Sequence, residues 1–225
     1  SETSVAPALH IVASYSFAVA WLLPNLSEFQ AEFPDIRISI DPNHSPIRQS
    51  RADTSLVIVH ADSRPDGPGW EHLFQDVCAV VCGTNHPLLN RSQPLTPNDL
   101  STYPLVHISH IQGSRRGEFS WHEWGQRLFQ SHKPFPVGLQ VTAEHAAIET
   151  VQTNQSLTLA SLVNADRLLR SGALSFVPGT ALRSGRSYWI RSSSKARKDN
   201  VAVKDFVEWV KAKIAVTLHR IGGVT

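Results

Sequence analysis

Methionine is absent from the 225 residues, and cysteine occurs only twice. A chain without methionine does not start at an initiator, so the expectation is a processed form or a piece of a longer protein. No apolar run reaches the ~18–20 residues that a membrane-spanning helix needs. The opening SETSVAPALH also lacks the basic-then-apolar order of a signal peptide. A net charge of +2 gives no support to a dedicated nucleic-acid surface. The densest basic stretch, Arg183 to Lys198, reads as a strand, SYWIRS, between solvated loops.

The motifs of common catalytic centres are missing as well. There is no G-x-S-x-G elbow, no Walker loop and no G-x-G-x-x-G after a strand. Carboxylates are scattered singly, so no acid/base pair is assigned and no catalytic residue is named. His107 and His110 have a ligand-like spacing, but on a strand they point to opposite faces. Neither a metal nor a cofactor is expected. Cys78 and Cys82 lie in one apolar run, and on a strand they face the same side about 13 Å apart. A disulfide needs Cα atoms within about 7 Å. Two free, buried thiols are expected, which suits a reducing cytoplasm.

What the sequence does contain is an alternation of short apolar runs with segments of 3.6-residue period. ALHIVAS (8–14), IRISID (36–41) and SLVIVHA (55–61) read as strands. Between the first two, Phe17, Trp21, Leu22, Leu26, Phe29 and Phe33 form one helical face. Pro24 removes a donor and should kink that helix or tighten its first turns, and Phe33-Pro34 should end it. A turn-rich SRPDGPG (63–69) precedes a long strand-like stretch from Trp70. Further strands are read at 104–109, VGLQVTA, SLTLAS, ALSFVP and SYWIRS, and 110–120 as a polar loop. Helices are read in SWHEWGQRLFQ, in AEHAAIETVQT entered from a Thr142 cap, and in LVNADRLLRS, capped by Ser161 and stopped at Gly172. The last helix carries Val203, Phe206, Val207, Val210 and Ile214 on its apolar side. The class is α/β with mostly parallel sheet.

In open α/β sheets, ligands sit beyond the carboxyl ends of strands, where helix starts present free N–H groups. The residues at those ends are Ser14, Tyr15, Ser16, His44, His60, Ser109, His110, Thr142, His145 and Ser161. Ser14, Ser16, His44, His60, Ser109 and Thr142 are the strongest of them. Hydroxyls and imidazoles there suit a small polar or anionic solute, although Ser14, Ser16, Thr142 and Ser161 equally read as helix caps.

Specific residues then carry a family resemblance. Ser14, Phe17-Ala18, Trp21-Leu22-Leu23-Pro24-Asn25-Leu26, Phe29 and Phe33-Pro34 follow the first strand and helix of the effector-binding domain of LysR-type transcriptional regulators. Gly69 to Phe74, Asn85-His86-Pro87-Leu88, Leu95 to Leu100 and Tyr103 to His107 fit later elements of that domain. Trp121 and Trp124, Tyr188-Trp189 and the Phe206 to Trp209 helix resemble the branch containing the glycine-cleavage activator and the β-lactamase regulator. The chain departs from the family pattern at Ser55 to Ala61 and at Asn154-Gln155-Ser156.

The resemblance implies two Rossmann-like lobes joined by two crossover strands, like type 2 periplasmic binding proteins, with a small-molecule effector held between them. Lobe I is expected at 1–75 plus 180–225 and lobe II at 76–179. An N-terminal winged helix-turn-helix would read DNA, and that part is absent from this chain. Homodimers or tetramers are implied, formed side by side through the Phe17–Phe33 helix of one chain and the Thr142–Thr153 helix of another. The alternative is a free-standing solute-binding protein of the same fold.

Overall fold

The computed structural model describes residues 8–109, 119–193 and 201–222. The chain falls into two compact units. One runs to Phe74 and resumes over Ser187–His219; the other is Gln75–Arg186 with residues from Arg220 onward.

The first unit starts with strand β1 (Ala8–Ser14), whose apolar residues Leu9, Ile11, Val12 and Ala13 are all buried. It pairs in parallel with β2 (Arg37–Asn43) on one side and β3 (Leu56–Ala61) on the other. Antiparallel to β3 runs the second half of β9 (Leu182–Ser192), giving the order β2-β1-β3-β9. Helix α1 joins β1 to β2. It begins as Tyr15–Phe17, widens to a π-turn over Ala18–Leu22 and continues as an α-helix over Leu23–Glu32.

The π-turn is the structure's answer to Pro24. A proline ring collides with the carbonyl four residues back and donates no bond to it. Immediately before it, the Leu23 amide donates instead to the Ala18 carbonyl five residues back. Where a kink or a tightening of the first turns was expected, the helix instead widens locally, as single-turn π-bulges inside α-helices do. Downstream, the Asn25 side chain donates through Nδ2 to the Trp21 carbonyl at 2.6 Å. Trp21 Nε1 reaches Thr217 Oγ1 at 3.2 Å on the last helix, α7 (Val201–Gly222). A short helix, α2 (Pro46–Gln49), leads towards β3.

The second unit is built on strand β4 (Trp70–Cys82), which starts in the first unit and continues into the second. From β4 the order is β7 (Leu157–Ser161), β5 (Leu105–Ile108) and β6 (Leu139–Val141), with the two-residue β8 (Ser175–Phe176) also on β4. Pairs β5–β6 and β5–β7 are parallel, while β4–β7 and β4–β8 are antiparallel. The strand path is thus mixed where mostly parallel pairing was expected, because strands that carry the chain between units enter each sheet against its direction.

Alternation along the strands divides the second unit's core. Val80, Leu105, Leu157 and Leu159 pack with Trp121, Trp124 and Phe135, while Val81, Val106 and Ala160 pack with Ala147, Ile148 and Val151. The first set is covered by α4 (Trp121–Phe129), preceded by the short α3 (Pro97–Ser101). The second is covered by α5 (Glu144–Val151) and α6 (Leu162–Arg170). Gly125 lies mid-helix because a Cβ there would meet Phe135 Cε2 at 2.5 Å. Gly172 closes α6 at φ 71°, a conformation that favours glycine. His86 in the Asn-His-Pro-Leu stretch accepts the Leu88 amide on Nδ1 at 3.2 Å and bonds the Gln155 carbonyl through Nε2 at 3.3 Å. That motif is a structural cap. Cys78 and Cys82 are free and buried.

Candidate functional site

Parallel pairing of β1, β2 and β3 brings their carboxyl ends to one edge of the first unit. Ser14 stands opposite Asn43 in register, and Ala13 opposite Ile58. Ser14 occupies the N-cap position of α1 but makes no side-chain cap. Its hydroxyl instead accepts the His60 amide at 3.0 Å, tying the ends of β1 and β3 together. Tyr15 stacks on His44 with ring centroids 4.7 Å apart and planes 6° from parallel. The His60 ring stacks on Tyr188 at 4.4 Å, and Tyr188 on Phe74 at 4.7 Å. Ser16 lies half-buried in the same turn as Tyr15. All five sequence-predicted residues of this unit therefore gather at one edge. Tyr188 and Phe74, which back the His60 ring, were read only as core or family-pattern residues.

In the second unit, Ser109 follows β5 and its amide donates to the Val141 carbonyl at 2.8 Å, beside Thr142. Thr142 is exposed and does not cap α5. That expectation is corrected: the N-cap residue is Ala143, and no side chain caps this helix. His145 is half-buried in the first turn of α5. His110 lies outside the described residues.

Ser161, 1% exposed, ends β7 and caps α6 by accepting the Asn164 amide at 3.5 Å. Its own two donors go to acids. The Ser161 amide donates to Glu144 Oε1, and its hydroxyl to Asp76 Oδ1 at 2.6 Å. Asn164 Nδ2 donates to Glu144 Oε2 at 2.7 Å, and Cys78 Sγ contacts Asp76 Oδ2 at 3.6 Å. Sequence reading missed Asp76, Glu144 and Asn164. A signal for Asp76 was present, since Phe74, Asp76, Cys78, Val80 and Cys82 alternate onto one side of β4 and all are buried.

Burial, then the charge of Asp76, raises the Glu144 carboxyl to about 7, against the donors from Ser161 and Asn164 and the charge of Arg186. Burial first, then Asp76 and Glu144, pushes the Cys78 thiol well up, and burial takes Cys82 to about 12. Both thiols stay protonated at neutral pH. Among the described residues, no group of three or more His, Cys, Asp or Glu is placed to hold a metal, and no helix is long and apolar enough to cross a membrane.

Two α/β units, entered and left through β4 and β9 and each with polar side chains at its strand ends, define the type 2 periplasmic-binding-protein-like class of ligand-binding folds. Within that class, the chain belongs to the LysR substrate binding domain family, matched over residues 3–215. It is 26% identical over 202 residues to the glycine cleavage system transcriptional activator of Escherichia coli, covering 89% of this chain and 63% of that protein. Similarity to the transcriptional activator AmpR of Pseudomonas aeruginosa is 26% over 216 residues, 92% of this chain and 66% of the relative. The chain thus spans under two thirds of the length of these regulators. The effector domain of Pseudomonas aeruginosa AmpR superposes with a TM-score of 0.67 at 23% identity, covering 95% of this chain and 99% of that one. The Citrobacter freundii AmpR effector binding domain gives 0.68 at 22% identity, over 93% and 98%. These relatives occupy the branch that the sequence resembles.

Proposed function

We propose that the chain is the effector-sensing part of a bacterial, cytoplasmic LysR-type transcriptional regulator and has no enzymatic role. A small polar or anionic molecule is held between the two lobes that the family resemblance implies. Ser14, Tyr15, Ser16, His44 and His60 contact it from lobe I, and Ser109, His110, Thr142, His145 and Ser161 from lobe II. The convergence of Ser14, Tyr15, His44 and His60 at the ends of three parallel strands carries this reading. Hydroxyls and imidazole nitrogens there can donate to an anion or accept from a polar group.

The proposed mechanism is a shift of population. An effector that binds one arrangement of the lobes better than another favours it by its difference in affinity. That bias reaches DNA through the packing of dimers or tetramers and through a DNA-binding part outside this chain. The subunit contact runs through α1 of one chain and α5 of the next. Gln30 is the residue to alter, because it is exposed, whereas Glu28 pairs with Lys213 of its own chain. A Gln30→Glu variant is expected to lower the sedimentation coefficient of the assembly; an unchanged value removes α1 from the contact.

A thermal-shift screen of amino acids, organic acids and cell-wall fragments tests the reading, since a ligand bound by the folded state raises its melting temperature. At least one class should raise it, and the double variant Ser14→Ala, Thr142→Ala should lose that rise while still melting cooperatively, about 2–4 °C lower without ligand because the His60 amide loses its acceptor. No rise from any class, or a rise untouched in the variant, would remove the proposed site.

A further inference from the structure

We propose that Glu144 and Asp76, joined through Ser161, form a proton-operated switch in the second unit that sets the starts of α5 and α6. As a regulatory device it rests on the effector-sensing reading; as a proton-binding element it does not.

The geometry is that of two acids on one small residue. Ser161 closes β7 and opens α6. Its amide is bound by Glu144 from the first turn of α5, and its hydroxyl by Asp76 from β4. Glu144 also takes Asn164 Nδ2 in the first turn of α6. One carboxylate therefore clamps the beginnings of two helices, with a second carboxylate bound to the same serine. The ionisable groups that act on Glu144 include Asp76 from β4 and Arg186 from β9; Cys78, raised by both Asp76 and Glu144, lies beside Asp76, and His145 is the next residue on α5. The Cys78 thiol carries no charge near neutrality. The Arg186 guanidinium thus faces both acids, and like charges so placed resist joint ionisation.

Protonation changes what the clamp can hold. Ionised, Glu144 only accepts, and it satisfies both the Ser161 amide and the Asn164 amide nitrogen. Protonated, it carries an O–H that needs an acceptor, and Asn164 supplies one by turning its amide so that Oδ1 meets the new donor. The start of α6 and the Ser161 bond to Asp76 must adjust to that exchange. Asp76 and Arg186 each lie within two residues of a point where the chain passes from one unit into the other. The adjustment therefore reaches the two strands that link the units.

The sign of the linkage is fixed by the direction of the shift. Glu144 titrates above its ordinary value of 4.5, at about 7, so the folded chain holds a proton that the unfolded chain has released. The stability this lends is complete below about 4.5 and is lost as pH rises towards about 7.

Two measurements on the intact chain test the proposal without any effector. In a carboxyl-carbon NMR titration, one glutamate resonance should move with a midpoint near 7, and the Ser161 and Asn164 amides should follow the same midpoint. In Glu144→Gln these movements should vanish, and the fall of melting temperature between pH 5 and 7 should flatten by close to one proton. Titration of every glutamate below pH 5.5 in the unaltered chain would overturn the proposal, whether or not the variant folds. Retention of the full pH slope by a folded Glu144→Gln would do the same. Failure of the ligand screen would leave both measurements intact, which separates the two readings.

Discussion

Ser14 in the first unit and Ser161 in the second occupy the same kind of place, last in a strand and first before a helix. Their backbones match, with φ,ψ of −49°,129° and −58°,126°. Yet Ser14 accepts a hydrogen bond from the His60 amide, whereas Ser161 gives both of its donors to carboxylates. Around Ser14 the neighbours are stacked rings of Tyr15, His44, His60 and Tyr188. Around Ser161 they are Asp76, Glu144 and Asn164. Local chain geometry made the two serines alike, and the strand packed beside each one made them different. A serine at a strand-to-helix junction is thus a versatile group whose direction of donation depends on what the sheet brings next to it.

That contrast can be broken by experiment. The largest effect is expected for Ser161→Ala, which takes a donor from the buried Asp76 carboxylate; hydrogen bonds to charged groups contribute about 1.5–3 kcal/mol. Ser14→Ala removes an acceptor from a neutral amide and should cost about 1 kcal/mol. Urea denaturation of both variants gives the order directly, and equal losses would erase the proposed difference between the two edges. The smallest effect is expected for the Tyr15–His44 stack, which is partly in water. A double-mutant cycle with Tyr15→Ala and His44→Ala should return a coupling of about 0.5 kcal/mol. No measurable coupling would make that stack an incidental surface contact.

Much of the frame was legible in the residues. Strand β1 and helix α1 were readable because apolar positions recur with the right period, and Phe33-Pro34 stops the helix where Glu32 ends it. The ends of α3 and α6 follow from local rules as well: Thr96 and Asp99 form a reciprocal cap, and Gly172 takes a positive φ. The first unit's candidate residues were legible because strand ends in a parallel sheet share an edge. The second unit was less readable. Thr142 looked like a cap by type, but the helix starts after Ala143 and leaves it exposed. Asp76, Glu144 and Ser161 are 68 and 17 residues apart along the chain, and no local pattern links them.

By itself, then, the sequence determined the elements, the family and the set of polar residues at strand ends, because periodicity, capping and chain stiffness act over a few residues. Tertiary structure alone decided which of those residues meet. It placed an aspartate from β4 and a glutamate from α5 on one serine, and it matched Pro24 with a π-turn in α1. The physical reason is that burial and charge coupling act through space, and their strength depends on which distant segments the fold presses together.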